Sequence, residues 1–219
     1  MRRAFLFDFD GVVVDSERYW PEIGRGLLAM LANVPVEQGA EQRFMGMSMH
    51  GTYDIFTKEF GMTLTLPEYE TVVMEKAAEV YETSVQPIEG VVACLDRLVA
   101  AERLLAIGSS NKRLLVDAGL EKHGLGHYFP VRCCGDDVPG RGKPHPDVFL
   151  LAAERLGMEP ADCAVIEDSS AGVAAAKAAG MYCVALHTDH NRSQDLSAAD
   201  LHIAHFDELT AERIGSLVA

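Results

Sequence analysis

Phe5–Ser16 reads FLFDFDGVVVDS, an apolar run that ends in two aspartates, Asp8 and Asp10, followed by Gly11. Three apolar residues bounded by acids and a glycine are short enough for a buried strand and too short for a helix. Two carboxylates two residues apart at the end of such a strand repel each other, and desolvation raises that cost. Something in the fold has to offset it. Four further strand-like runs follow: Leu104–Gly108, Val131–Cys134, Cys163–Ile166 and Tyr182–Leu186. Helical spacing of apolar residues marks Val91–Glu102 and His145–Gly157, and Ser170–Gly180 is an alanine-rich helix closed by a glycine. Strands alternating with helices predict βαβ units and a mostly parallel sheet, an α/β fold.

Between Glu17 and Ser84 that alternation stops. The stretches beginning WPEIGRGLLAM (Trp20), GTYDIFTKEFG (Gly51) and PEYETVVMEKA (Pro67) read as amphipathic helices joined by short loops. The expected organisation is a core formed by residues 1–16 and 85–219, with a helical domain inserted at 17–84. Two linker strands are expected, near Asp15–Glu17 and Glu82–Pro87.

The 219 residues are 48% hydrophobic and 24% charged, enough apolar mass for a sizeable core. The first apolar stretch is too short for a signal peptide, and no run approaches the ~18 apolar residues of a membrane span. The expectation is a soluble, cytoplasmic protein, with a monomer as the default. A net charge of −14 argues against nucleic acid or an anionic membrane as partner. The same charge requires local cations if the substrate is an anion. Cys94, Cys133, Cys134, Cys163 and Cys183 form no CxxC pair and read as buried, reduced thiols.

In open α/β sheets the active site lies beyond the carboxyl ends of the strands. Those ends here carry Asp8 and Asp10, then Ser109, Ser110 and Asn111, then Gly135 and Asp136, then Glu167, Asp168 and Ser169, with Lys143 in a neighbouring loop. Several carboxylates at one rim call for a cation, and an all-oxygen set suits Mg²⁺ better than Zn²⁺ or an EF-hand Ca²⁺. A carboxylate is also a nucleophile towards phosphorus, and a second acid nearby can move protons. Hydroxyls, amides and a lysine would neutralise a phosphoryl group. These are the parts of a phosphoryl-transfer site.

DFDGVVVDS, the strand-end serine of LLAIGSSN, the lysine of GKPHPDVF and the acids of VIEDSSAG resemble, in order, the four motifs of the haloacid dehalogenase superfamily. The helical insert after the first motif resembles that family's α-helical cap, so the likeness spans the chain. It implies a Rossmann-like core, Mg²⁺ dependence and phosphate chemistry. By position, the nucleophile corresponds to Asp8 and the general acid/base to Asp10, whose backbone carbonyl also meets the metal. Ser109 and Ser110 correspond to the phosphate-binding position and its neighbour, and Lys143 to the motif lysine. Asp168 corresponds to the second metal carboxylate, with Glu167 binding directly or through water. True dehalogenases lack the second aspartate, so Asp10 points to phosphate esters.

The chain most resembles the β-phosphoglucomutase-like subgroup, with two departures. Trp20 stands where the mutases carry a histidine, and Gly46-Met47-Ser48-Met49 where they carry a GxSR arginine. Hydrolysis of a small phosphate monoester, a sugar phosphate or related metabolite, is therefore expected ahead of a mutase reaction. A non-enzymatic phosphoacceptor of the receiver type is the reading from another class, but that fold is shorter and has no cap. In the insert, Arg18, Gly46, Ser48 and Lys76 are the candidate substrate contacts, against solvated helix faces and methionine core filler as the ordinary alternatives. For Ser109-Ser110-Asn111 the ordinary alternative is a helix N-cap, for Lys143 a solvated loop lysine, and Asp15 reads as a structural acid of the linker. His50, His145, His187 and His190 have no partner legible in the sequence.

Overall fold

The computed structural model describes residues 3–33, 37, 40 and 49–217, with the Glu17 side chain left aside. The chain divides into two compact units, Met1–Asp15 with Gln86–Ala219, and Ser16–Val85.

The first unit is built on a parallel six-stranded sheet. Its strands are β1 (Ala4–Phe7), β4 (Leu104–Gly108), β5 (Val131–Cys133), β6 (Cys163–Glu167), β7 (Tyr182–Leu186) and β8 (Leu201–Ile203). They lie in the order β5-β4-β1-β6-β7-β8, which places β1 in the middle. Every pairing is parallel: Phe7 lies opposite Ile107 on one side and Ile166 on the other. A strand paired on both edges and covered on both faces has to be apolar throughout, which is why β1 reads AFLF with no alternation. Alternate residues still go to opposite faces. Ala4 and Leu6 join Val165, Ala185, Val148, Phe149 and Ala176 in one core layer. On the other face Phe7 meets Phe129 edge-on at 5.6 Å and stacks on Phe206 at 6.4 Å.

Helices α4 (Val91–Ala100), α5 (Arg113–Lys122), α6 (Asp147–Leu156), α7 (Ser170–Ala178) and α8 (Ala211–Ser216) flank the strands. The α/β class expected from the sequence is the class observed. One strand went unforeseen. β8 is three residues long, and its central His202 is exposed at the sheet edge, so no apolar run marks it. The third expected strand stops at Cys133, because Cys134 already turns into a 3₁₀ turn over Gly135–Asp137. β2 (Val14–Asp15) and β3 (Gln86–Pro87) pair antiparallel where the chain leaves and re-enters this unit.

The second unit contains α1 (Trp20–Leu31), α2 (Met49–Lys58) and α3 (Leu66–Thr83), and no strand among its described residues. Phe56, Phe60 and Tyr69 form its aromatic centre, with ring centroids 5.5–5.7 Å apart. α3 starts on a capping box: Thr65 N–H donates to Glu68 Oε2 at 2.8 Å. No helix among the described residues is long and apolar enough to cross a membrane.

Candidate active site

Parallel pairing in register brings the ends of β1, β4 and β6 to one edge of the sheet. Asp8 is held in line by its N–H, which donates to Ile166 O at 3.0 Å. Asp8, Glu167 and Asp168 each offer a carboxylate oxygen within 4.8 Å of the others. All three are buried, Glu167 completely.

Lys143 lies between two of them. Its Nζ is 2.7 Å from Asp8 Oδ1 and 2.5 Å from Glu167 Oε1, and it stands 4.9 Å over the Phe149 ring. Only 6% of its side chain is exposed, so this is not a solvated loop lysine. Desolvation works against its charge, but the two carboxylates outweigh it and hold Lys143 above its ordinary range. Asp8 moves the other way for a carboxylate. Burial, helped by the charges of Glu167 and Asp10, overrides Lys143 and pushes it up to about 7.

Glu167 is fully engaged. Oε1 accepts from Lys143, while Oε2 accepts from Asp168 N–H at 2.8 Å, Ser169 N–H at 2.9 Å and Ser169 Oγ at 3.0 Å. It thereby folds the strand end around its own carboxylate. Helix α7 begins directly on that carboxylate. Ser169 caps the helix by accepting from Gly172 N–H at 3.0 Å, and a Cβ on Gly172 would fall on the Glu167 carboxyl group. Gly11 meets a similar limit. Its φ is +76°, and a Cβ there would fall on the Asp168 carboxylate. The turn after Asp10 therefore needs glycine twice over.

The end of β4 supplies the next group. Ser109 is buried, and its Oγ accepts from Asn111 N–H at 3.0 Å; Ser110 is exposed. Neither serine caps α5. The Arg113 amide donates instead to Asp136 Oδ2 at 2.7 Å, in the turn after β5. Asp10 lies outside the three-carboxylate group, and its Oδ2 accepts from Asn111 Nδ2 at 2.9 Å.

Of the sequence-derived candidates, Asp8, Asp10, Ser109, Lys143, Glu167 and Asp168 thus belong to one unit and to strand ends or adjoining loops of one sheet. Arg18 and Lys76 belong to the other unit. Arg18 is exposed, with its guanidinium 6.0 Å from the centre of the Tyr19 ring; Lys76 pairs with Glu79 at 2.8 Å. Gly46 and Ser48 lie outside the described residues.

Sequence reasoning missed Asn191. Buried in the loop after β7, it donates from Nδ2 to Asp168 O and Leu186 O, both at 2.8 Å, and its Oδ1 accepts from Thr188 N–H. It ties the backbone of the acidic strand end to the neighbouring strand. Nothing local in TDHNRSQ signals that. Two of the histidines left without partners also find them: His190 Nε2 is 3.7 Å from Asp15 Oδ1, and His187 Nε2 is 3.0 Å from His202 Nδ1.

The haloacid dehalogenase-like hydrolase family matches the chain over residues 5–186. The chain belongs to that family. It is accordingly a hydrolase, with relatives among the β-phosphoglucomutase-like members. A phosphorylated carbohydrates phosphatase of Thermotoga maritima is 30% identical over 178 residues, 81% of this chain and 82% of the relative. A β-phosphoglucomutase of Bacillus subtilis is 27% identical over 222 residues, 96% of this chain and 92% of that one. The crystal structure of CbbY from Rhodobacter sphaeroides in complex with phosphate superposes with a TM-score of 0.81, covering 95% of this chain and 96% of that one. Its identity is 22%, so that likeness concerns the fold.

Proposed function

We propose that this haloacid dehalogenase-like hydrolase is a Mg²⁺-dependent phosphatase. Its substrate would be a small phosphate monoester, a sugar phosphate or related metabolite, hydrolysed through an aspartyl-phosphate on Asp8. The observation that carries the reading is the buried Asp8–Lys143–Glu167 chain, with Asp168 beside it and Asp10 two residues from the nucleophile.

The donor set fits Mg²⁺. The three carboxylates supply hard oxygens only, close together. Since both Glu167 oxygens already accept hydrogen bonds, Asp8 and Asp168 would hold the ion directly, with Glu167 supporting them from behind. The Asp10 carboxylate stands apart, which agrees with a metal contact through its backbone carbonyl. When bound, Mg²⁺ supplies the positive charge that favours ionised Asp8 and neutralises phosphate oxygens.

Asp8 attacks phosphorus as its carboxylate, a P–O bond to Asp8 forms and the P–O bond to the alcohol breaks. Asp10, protonated, gives its proton to the departing alkoxide. It then takes a proton from water as that water attacks phosphorus, releasing phosphate and restoring both acids. Lys143 offsets charge on the transferring group. Ser109, whose oxygen accepts from Asn111, has its own hydrogen to donate to a phosphate oxygen. In a chain of net charge −14, Lys143, the Ser109 hydroxyl and the charge of a bound Mg²⁺ would offset the carboxylates where an anion has to bind. The likeness to the phosphorylated carbohydrates phosphatase supports the substrate class. Trp20 and the absent GxSR arginine favour water over a second sugar hydroxyl as acceptor.

The test is a panel of phosphorylated metabolites with released phosphate as readout, with and without Mg²⁺. Asp8→Asn should lower turnover by about 10⁴-fold or more while the far-UV spectrum is kept. Chelation by EDTA should abolish activity, and Mg²⁺ should restore it. Activity retained in clean Asp8→Asn protein overturns the nucleophile. Conversion of a hexose 1-phosphate to its 6-phosphate without free phosphate replaces the hydrolase with a mutase.

A further inference from the structure

Asn111 has no role in the reaction just described, yet it is the residue that holds Asp10. Its side-chain orientation is settled by its partners. Lys112 N–H can only donate, and it donates to Asn111 Oδ1 at 2.8 Å, so the group turned to Asp10 Oδ2 at 2.9 Å is the amide NH₂. The Asn111 backbone is fixed as firmly. Its N–H donates to Ser109 Oγ at 3.0 Å, and its C=O accepts from Gly135 N–H at 2.9 Å in the turn after the next strand. A short loop pinned at both backbone groups and at one side-chain atom leaves Nδ2 in one place. A cap on Lys112 would need only Oδ1; the contact with Asp10 is additional to it.

We propose that Asn111 is a positioning residue for Asp10, fixing the rotation of the carboxyl group that moves the proton in both half-reactions. This rests on the phosphatase reading above. Proton transfer by a well-placed acid or base is worth about 10²–10⁴-fold, and it falls off when the group is free to turn away from its target. Both steps use the same carboxyl group, so both slow when the tether is cut. The same tether bonds to Ser109, so one loop would set the phosphate-binding hydroxyl and the proton carrier together.

The test uses p-nitrophenyl phosphate with Mg²⁺, because p-nitrophenolate leaves without a proton. Only hydrolysis of the aspartyl-phosphate then needs Asp10. Asn111→Ala should lower kcat about 10-fold and KM by a similar factor, leaving kcat/KM within about 2-fold of wild type, because only the second half-reaction slows. A burst of about one equivalent of p-nitrophenol should precede the slow phase. Asp10→Ala should lose about 100-fold or more and also burst. The double variant should be no slower than Asp10→Ala, since a residue that acts only through Asp10 has nothing left to position. If Asn111→Ala fails to fold, Asn111→Asp keeps the acceptor for Lys112, turns an oxygen towards Asp10 and should show the same burst. Turnover by Asn111→Ala within 2-fold of wild type and without a burst, beside a slow Asp10→Ala, overturns the positioning role alone. So does a further loss in the double variant equal to that of Asn111→Ala by itself. Full activity in Asp10→Ala, or none in wild type, overturns the phosphatase reading beneath it.

Discussion

The sheet unit buries a group of charges at its strand ends, whereas the described ion pairs of the helical unit stay at the surface. Asp8, Lys143 and Glu167 are 11%, 6% and 0% exposed at the side chain and come from three segments far apart in the chain. Lys58–Asp54 and Lys76–Glu79 are neighbours within one helix, and in each pair at least one partner is well exposed. Exposed i,i+3 and i,i+4 pairs contribute a few tenths of a kcal/mol and tolerate loss of either partner. A buried charge tolerates neither solvent nor solitude, so its partners have to arrive through tertiary structure. Chemistry collects where the chain accepts that constraint, at the open ends of parallel strands.

Three sets of substitutions probe the contrast. The largest effect is expected from Lys143→Ala, which leaves Asp8 and Glu167 facing each other without a cation. It should destabilise the metal-free protein by about 3–5 kcal/mol and abolish turnover, whereas Lys76→Ala should cost less than about 1 kcal/mol. Chemical denaturation of the two variants side by side measures the difference. Equal losses would break the contrast.

Next come two glycines in helices. A methyl on Gly172 meets the immobile, hydrogen-bonded Glu167 carboxylate, while one on Gly26 meets the stem of Lys76, which can swing aside. Gly172→Ala should lose about 1–3 kcal/mol by overpacking. Gly26→Ala should be neutral, or gain up to about 1 kcal/mol from helix propensity. Melting temperatures that move in opposite directions are the expected result.

The smallest effect belongs to Asp137, which holds the turn after β5. It accepts from Cys134 N–H at 2.8 Å, Arg113 at 2.6 Å and Arg155 at 3.0 Å. Desolvation alone would raise its carboxyl, but these donors outweigh it and keep it below the usual carboxylate range. Its contribution to stability is therefore complete above the unfolded value near 4 and fades as pH falls through the lower folded one. Asp137→Asn should cost about 1–2 kcal/mol at pH 7. The gap from wild type should narrow steadily below pH 4, as urea midpoints at each pH would record. A gap independent of pH would mean that the ionised form is not what the turn needs.

How much was legible follows the same division. β1 could be placed from AFLF followed by DFD, and Asp8, Asp10, Lys143, Glu167 and Asp168 from their strand ends and loop, because a buried parallel strand announces itself by apolarity and its end by polar residues. Lys143 was legible as a candidate but not as a buried bridge between Asp8 and Glu167. Asn111 was noted among the strand-end residues without a task, and Asn191 was not noted, since a hydrogen bond to Asp168 O leaves no trace in the loop that supplies it. β8 was too short and too exposed at His202 to show a pattern. Arg18 lies in the short 3₁₀ turn before α1 and Lys76 on the amphipathic α3, where the local pattern says little about what an outward side chain meets.

By itself the sequence determined the α/β alternation, the helical insert, the family and the residue types that collect at the strand ends. These depend on local properties: the length and period of apolar runs, and the glycines and acids that close them. Tertiary structure alone decided the pairings: Lys143 with Asp8 and Glu167, Asn111 with Asp10, and Asn191 with the Asp168 backbone. Each forms only when parallel register brings distant loops to one edge of the sheet. The burial that follows makes each pairing obligatory, because a polar group shut away from water has to find its partner within the fold.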